Sequence, residues 1–313
     1  MVRQKMIGYA SIGLAAVLLS TQGILSRMLM DLQIDSLGLA FLRTLLGTGI
    51  LFAALWVFPS AGFKMRFRDL GLVLLHGIVG TGLFSFFLFT AIQTTSVMTA
   101  VTLMYTAPAF TVILARVFLG EKLNAMKIGA VTMTLSGTVA VIIGYNLSEL
   151  VIVPVGLVFG LLTGMAYGAY NILSKILVSR YSSWTVNFYS VLIASIFLGI
   201  LRNPVDLLTS GVIPINAWPS IFLLAFLTYA LAYTLLIFGF RHVQAGTGSI
   251  VANLEPVSSV ILAGVILGES MGLVQGIGFA LILGSILLVS RQEAGTASKR
   301  ARRERQEIRA QNH

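Results

Sequence analysis

Residues 254–269 read LEPVSSVILAGVILGE, and residues 106–121 read TAPAFTVILARVFLGE. In both stretches a proline stands third and a Leu-Gly-Glu tripeptide closes the run, with an offset of 148 residues between the copies. The same offset relates ILSR at 24–27 to ILSK at 172–175. Leucine and isoleucine match by chance in apolar sequences, but the proline, the Gly-Glu pair and the basic residue in one register indicate an internal repeat.

The composition excludes an ordinary soluble domain. Of the 313 residues, 57% are hydrophobic and 10% are charged, whereas soluble proteins carry about 25% charged residues. Because a soluble fold could not hide so much apolar surface, the composition indicates a membrane protein. The chain has no cysteine, which excludes disulfides and thiolate metal sites. We expect neither a metal nor a cofactor.

The net charge of +10 is distributed as in a membrane protein. Seven of the 21 Lys and Arg residues lie in the segment 291–313, and most of the others stand in short connections between apolar runs. This pattern does not form the basic face of a nucleic-acid-binding protein, so we expect no nucleic acid partner. The tail is expected to contact anionic lipid headgroups of the inner leaflet, at about 1 kcal/mol per basic residue near the surface.

Ten apolar runs are long enough to cross a bilayer, which takes about 20 residues in a helix. They do not alternate in polarity, which excludes a transmembrane β-barrel. The first run is longer than the core of a usual signal peptide, so we expect it to be retained. The predicted fold class is an all-α integral membrane protein with ten transmembrane helices, at roughly 6–28, 36–58, 69–91, 97–119, 126–145, 153–175, 184–202, 218–240, 246–268 and 272–290.

Positive residues predict the orientation, because cytoplasmic connections are rich in Lys and Arg. With the N-terminus inside, one set of connections holds most of the basic residues and the other holds acids. Both termini are then cytoplasmic, in a multi-pass protein of a bacterial cytoplasmic membrane. The inner set carries Lys64, Arg66, Arg68, Lys122, Lys127, Arg180 and Arg241, and the outer set carries Asp31, Asp35, Glu149, Arg202, Asp206 and Glu269.

The repeat and the orientation together predict two inverted halves. Each copy holds five spans, and an odd number places the second copy upside down in the membrane. The predicted units are a first repeat at 1–148, a second repeat at 149–290 and a basic cytoplasmic tail at 291–313. Inverted repeats are common in secondary transporters, where two similar halves exchange conformations around a central site. One chain is sufficient for this architecture, so we expect a monomer or a homodimer.

The two copies of the Pro and Leu-Gly-Glu pattern resemble the signature of EamA domains in the drug/metabolite transporter superfamily. The resemblance covers about residues 6–290 and fits the ten-span count. The first copy departs from the signature, since Ala107 stands where the second has Glu255. Members of this family export amino acids and other metabolites. The resemblance implies export or exchange of a small polar or amphipathic solute, and a central cavity bounded by spans one, three, four, six, eight and nine.

Glu255 is the first candidate for the transport site. A charged side chain at the bilayer centre costs roughly 2.5–3.5 kcal/mol on insertion scales, so it is expected to face a cavity or a partner. It would couple protons or pair with a solute amine, or alternatively bond backbone amides freed at the neighbouring proline. Pro108 and Pro256 remove backbone donors and should break their helices, freeing the carbonyls of Met104 and Ala252. They are candidate hinges, or alternatively shape-giving kinks.

Other polar residues lie at helical spacing near these prolines. Asn253 precedes Glu255, and Tyr105 holds the equivalent position in the first repeat. The sixth span carries a polar and aromatic stripe, and the first span has a weaker counterpart. Such a stripe either lines a solute cavity or forms hydrogen bonds between helices. The candidate solute-binding residues are Gln22, Tyr105, Tyr167, Tyr170, Asn171, Asn253 and Glu255.

Three further features are interpreted as structural. His76 stands alone among apolar residues and is expected to pack with a hydrogen bond rather than relay protons. Arg43 is expected to reach outward or to pair with Asp31 or Asp35. The aromatic residues Phe84, Phe87, Tyr229 and Tyr233 are expected to pack rather than to bind solute.

Two other functional classes remain as alternatives. An intramembrane enzyme would need a catalytic constellation, and the sequence holds no HExxH motif and no paired intramembrane aspartates. A membrane scaffold or lipid-handling protein has no evident use for an inverted repeat. The sequence therefore favours a transporter that is not an enzyme, and the absence of a P-loop excludes a nucleotide-driven pump within this chain.

Overall fold

The computed structural model describes residues 2–30, 32, 34–57, 62–143, 153–203, 207, 213–267 and 272–289. Those residues contain no β-strand. Several predictions fall outside them, namely those on Asp31, Glu149, Asp206, Glu269 and the tail.

Twelve helices lie in the described part of the chain. Most follow the predicted spans closely, and two predicted spans are each divided into two helices. The bounds are α1 Val2–Met30, α2 Ser36–Val57, α3 Phe67–Thr94, α4 Val97–Met104, α5 Ala107–Phe118, α6 Ala125–Ile143, α7 Pro154–Val178, α8 Ser183–Leu201, α9 Ile215–His242, α10 Ala245–Ala252, α11 Leu254–Leu267 and α12 Leu273–Val289.

The prediction of an all-α membrane protein is confirmed. Eight helical segments, one of them formed by α4 and α5, are long and apolar enough to cross a membrane. The ninth predicted span consists of α10 and α11, which are separated by Asn253. The tenth corresponds to α12, a shorter apolar helix. The number of crossings and the side of each terminus stay predictions.

The helices of the two predicted repeats interdigitate. Helix α1 packs against α9, α10 and α11, which follow in the second half of the chain. Helix α7, which opens that half, packs against α3, α4 and α5 in the first. Helices α2 and α8 also pack against each other. The first helix of each half therefore contributes to the core of the other half.

A stripe of glycines on α7 permits the close approach of the broken helix pair α4 and α5. Gly156, Gly160, Gly164 and Gly168 recur once per turn on one face. A Cβ atom at Gly164 would stand 2.4 Å from Oγ1 of Thr106 and 2.9 Å from a backbone oxygen. A Cβ atom at any of the other three glycines would meet side chains of α4, of α5 or of the residues just before α4. Small residues at such interfaces let helix backbones approach closely in membranes.

Several contacts join connections that the charge pattern assigns to the same face of the membrane. At the predicted inner end, Arg180 and the hydroxyl of Tyr181 both bind the carboxylate of Asp69. The Lys175 ammonium donates to the carbonyl oxygens of Phe240 at 2.6 Å and Val243 at 2.7 Å. It thereby caps the C-terminus of α9, where a positive charge is favourable.

The predicted outer end holds a looser contact among the described residues. Arg202 and Asp35 approach within 3.3 Å, and both side chains are substantially exposed. Asp35 also accepts a hydrogen bond from the backbone nitrogen of Gly38 at 2.7 Å. Both residues belong to connections that the charge pattern assigns to the outer face.

Substitution of Gly164 by alanine should destabilise the fold, because the added methyl group overlaps Thr106 and a backbone oxygen. We expect a loss of about 1–3 kcal/mol in the free energy of unfolding, measured on the purified protein by denaturant titration. Gly49→Ala is the matched control, since nothing lies within 4 Å of a Cβ there. That control should be neutral or stabilising by up to about 1 kcal/mol, because alanine favours helix. Equal effects of the two substitutions would contradict the close approach.

Candidate functional site

Two helix breaks lie at the centre of the candidate site. Helix α4 ends at Met104 and helix α10 ends at Ala252, each one turn before a proline. The ring of a proline collides with the carbonyl group four residues earlier and removes a backbone donor. Pro108 and Pro256 therefore break their helices at the residues that the sequence predicts.

The two breaks are in contact with each other. The side-chain nitrogen Nδ2 of Asn253 lies 3.5 Å from the carbonyl oxygen of Tyr105 and 3.4 Å from Oγ1 of Thr138. Asn253 and Tyr105 are 3% and 5% exposed, respectively, so this contact is buried. The two residues hold equivalent positions in the sequence repeat, so the side chain at one break lies against the backbone of the other.

We call the place where the two helix breaks meet the crossing. Glu255 lies beside it, in the first turn of α11. Its carboxylate accepts a hydrogen bond from the side-chain hydroxyl of Tyr105. Tyr167 and Tyr233 lie near the same carboxylate. The counterpart of Glu255 in the first repeat, Ala107, carries no polar group, so the crossing has a single acid.

Four tyrosines continue from this acid as a ladder of ring contacts, which we call the tyrosine ladder (Tyr167, Tyr170, Tyr233 and Tyr229). Their ring centroids are separated in that order by 6.2, 5.4 and 5.4 Å. Tyr229 and Tyr233 are stacked, with 21° between their planes. Phe84 flanks the first tyrosine at 5.5 Å. The four aromatic residues that were predicted to pack, Phe84, Phe87, Tyr229 and Tyr233, all contact other rings. That they do not bind solute stays a prediction.

Two π-helical segments carry side chains of the site, and the sequence analysis did not anticipate them. They span His76–Leu83 in α3 and Phe226–Tyr233 in α9. Helices α3 and α9 are the third helices of the first and second predicted repeats. Such segments are rare and occur frequently at functional sites. The amide of Asn187 donates to the carbonyl oxygen of Tyr229 at 2.5 Å and to the hydroxyl of Thr234 at 2.9 Å. This side chain thus compensates for the displaced backbone.

His76 contacts the ladder from the first π-helical segment. Its ring stacks on Tyr170 with a centroid separation of 4.6 Å, and its Nε2 lies 2.9 Å from Oγ of Ser174. It is completely buried, and its Nδ1 has no hydrogen-bond partner among the described residues. The interpretation of His76 as a packed, hydrogen-bonded histidine agrees with this environment.

Arg43 lies at the other end of the ladder. Its Cζ atom stands 5.3 Å from the ring centroid of Tyr229, and the residue is 7% exposed. The prediction that it pairs with Asp35 is wrong, because Asp35 is held by Arg202. The other predicted partner, Asp31, lies outside the described residues.

Six of the seven predicted solute-binding residues fall into two groups. The structure brings Tyr105, Asn253, Glu255, Tyr167 and Tyr170 together around the crossing and the ladder. Asn171 follows the ladder in sequence, yet its amide donates to Oγ1 of Thr111 on α5 at 3.1 Å. For Asn171 this contact favours the second interpretation of the polar stripe, in which its side chains form hydrogen bonds between helices.

Gln22 belongs to neither group in its described contacts. It lies on α1, which packs against α11 and against the π-helical segment of α9. Its Oε1 is buried without a hydrogen-bond partner among the described residues. Arg43, His76, Tyr229 and Tyr233 join the ladder although they were not chosen as site residues from the sequence.

A buried ion pair binds the N-terminus of α10, at the predicted inner end of the bundle. Glu121 accepts hydrogen bonds from the backbone nitrogens of Ala245 at 2.7 Å and Gly246 at 3.3 Å, which open α10. Lys127 pairs with Glu121 at 2.8 Å and donates to the side chain of Gln244 at 3.2 Å. The Glu of the first Leu-Gly-Glu motif therefore caps a helix of the other half, where a negative charge is favourable.

Removing both partners of this ion pair should cost less than the sum of the costs of removing each alone. Glu121→Gln or Lys127→Met alone would leave a buried charge unpaired, with a loss of roughly 3–5 kcal/mol in the free energy of unfolding. The double variant should lose less than the sum of the two, as measured by denaturant titration of all four proteins. Asp35→Asn is the control, because its exposed pair should contribute less than about 1 kcal/mol. Additive losses would show that the pair is not coupled.

Comparison with known proteins agrees with this architecture. The sequence profile of the EamA-like transporter family matches residues 6–143 and again residues 154–291. A solved crystal structure of a protein superposes with a TM-score of 0.77 at 20% identity, covering 93% of this chain and 97% of that chain. At this level of identity the similarity concerns the fold alone.

Curated relatives are named as transporters. An uncharacterized transporter of Archaeoglobus fulgidus is 28% identical over 91% of this chain and 97% of its own length. A probable terminal-alkyne amino-acid exporter of Streptantibioticus cattleyicolor is 25% identical over 76% of this chain and 78% of its own length. Because the family profile matches nearly the whole span of the described helices, the chain belongs to the EamA-like transporter family and is a multi-pass membrane protein.

Proposed function

We propose that this chain is a secondary transporter that exports or exchanges a small metabolite such as an amino acid by alternating access. The observation that carries the proposal is the single acid, Glu255, at the crossing of two broken helices from opposite halves, held by the hydroxyl of Tyr105. Membrane transporters use discontinuous helices of this kind to build solute and ion sites near the middle of the bilayer.

The surroundings of Glu255 suit a cationic group. A carboxylate within the membrane is costly unless it meets a partner, a proton or water. Tyr105, Tyr167 and Tyr233 neighbour this carboxylate, and the faces of aromatic rings attract ammonium groups. A solute amine and a proton would therefore compete for the same carboxylate. In an exporter such competition couples release of the solute to entry of a proton.

Alternating access is supported by how the halves are joined. The breaks at Tyr105 and Asn253 divide two helices into segments that can change their relative angle, with Pro108 and Pro256 as hinges. The predicted cytoplasmic end is held by the buried pair of Glu121 with Lys127. We propose that this end opens when Glu121 releases the N-terminus of α10.

The name of one relative suggests the solute class. The Streptantibioticus protein is named as a probable exporter of a terminal-alkyne amino acid. An amino acid carries the ammonium group that Glu255 is proposed to bind. We propose further that the transporter is not an enzyme, that it works as a monomer or a homodimer in a cytoplasmic membrane, and that its basic tail contacts lipid.

Glu255→Gln should abolish transport driven by a pH gradient while the protein stays folded. We would reconstitute the purified protein in liposomes and measure uptake of radiolabelled amino acids with and without an imposed gradient. If Glu255 couples protons, the variant should lose the stimulation by the gradient but retain exchange between labelled and unlabelled solute. If Glu255 is instead the counter-ion of the solute amine, both activities should fall.

Two further variants serve as controls for this experiment. Ser259→Ala removes a hydroxyl that bonds only the carbonyl oxygen of Glu255 within its own helix, at 3.0 Å, and should transport normally. Tyr105→Phe removes the hydrogen bond but retains the acid, so coupling should persist at an altered rate. Coupled transport by Glu255→Gln at the wild-type rate would eliminate the proposed role of the acid.

A further inference from the structure

Arg43 is a buried cation without a hydrogen-bonding partner for its Nε atom. The residue is 7% exposed, and this nitrogen has no acceptor among the described residues. Its guanidinium instead lies over the face of Tyr229, itself 2% exposed, at 5.3 Å. A cation–π contact alone compensates only in part for placing an arginine inside a membrane helix.

The acids in the described part of the chain are engaged elsewhere. Asp35 pairs with Arg202, Asp69 with Arg180 and Glu121 with Lys127. The fourth acid, Glu255, is bound by the hydroxyl of Tyr105. Within this part of the structure, the positive charge of Arg43 is therefore not neutralised by a carboxylate.

Arg43 and Glu255 are connected through the tyrosine ladder. Tyr229 contacts Arg43 and stacks on Tyr233 at 5.4 Å. Tyr233 in turn lies near both Arg43 and Glu255. One continuous group of aromatic faces thus has a cation at one end and an acid at the other.

We propose that Arg43 binds the anionic group of the transported solute, so that the site selects solutes that carry a carboxylate. This inference rests on the proposed function and refines it from a small metabolite to a carboxylate-bearing one. The planar guanidinium can offer two parallel N–H donors to a carboxylate, which gives both affinity and orientation. The apolar part of the solute would lie along the tyrosine ladder.

The decisive experiment compares probes that share one apolar group and differ in whether they carry a carboxylate, an amine or both. We would measure binding by isothermal titration calorimetry, and uptake into liposomes of phosphatidylcholine alone, for L-phenylalanine, L-phenylalaninamide, 2-phenylethylamine and 3-phenylpropanoate. A parallel series would use L-leucine and its analogues. With phosphatidylcholine as the sole lipid, no lipid of net negative charge competes for Arg43, and the lipid phosphate is the same in every measurement. The proteins are the wild type, Arg43→Gln, Arg43→Lys and, as a control, Arg202→Gln.

We expect the wild type to prefer the amino acid over its amide, and Arg43→Gln to weaken binding of the amino acid roughly 10- to 100-fold, the range of a charge-assisted hydrogen bond. Binding of the amide and the amine by Arg43→Gln should stay within about twofold of the wild type. Arg43→Lys should recover part of the affinity for the amino acid, because the charge is retained. Arg202→Gln should behave as the wild type, since that arginine belongs to an exposed pair.

Different failures point to different conclusions. If the wild type carries amines and amides as well as amino acids, the Arg43 proposal falls while the proposed transport function stands. If neither series is bound or carried, both fall. Should Arg43→Gln fail to fold, Arg43→Lys and protection of Arg43 from phenylglyoxal provide the test. Protection by the amino acid and by 3-phenylpropanoate, but not by the amine, supports the proposal, and equal labelling with every probe overturns it.

Discussion

In the hydrocarbon core of a membrane every backbone N–H and C=O group needs a partner within the protein. Pro108 and Pro256 violate this requirement in two helices, and the rest of the centre of the molecule depends on how the violation is compensated. Each break is buried against the other, so that the amide of Asn253 reaches the carbonyl of Tyr105. The breaks can exist only because the two halves meet there, which places irregular backbone, an acid and several aromatic rings at the same point.

Much of this arrangement follows from the sequence, because its causes are local. Composition and hydropathy give the helices, since about 20 apolar residues in a row have few alternatives to a membrane helix. The effect of a proline on the preceding turn is stereochemical, and it locates the ends of α4 and α10. The repeat offset identifies Tyr105 and Asn253 as equivalent residues, although it does not reveal that they contact each other.

The rest depends on partners that are distant in sequence. A π-helical segment such as Phe226–Tyr233 is stable only where another helix supplies groups like the Asn187 amide, and no pattern within the segment marks it. The environment of Arg43 could not be predicted for a related reason. Asp35 is near Arg43 in sequence, but its carboxylate pairs with Arg202, which directly follows α8. The glycine stripe of α7 is visible in the sequence, yet only the structure shows that Gly164 lies against Thr106.

The contact between Tyr105 and Asn253 also bears on how the chain can diverge from its own internal symmetry. Two identical five-helix units, paired head to tail, would place the same side chain on both sides of the crossing, so that any acid there would face an identical acid and the two would repel. Joining the units in one polypeptide removes that constraint, because each copy then mutates separately. Ala107 stands where the second copy has Glu255, so the two copies already differ at this position. Covalent fusion of the halves is therefore the condition under which a single charge at the crossing becomes possible.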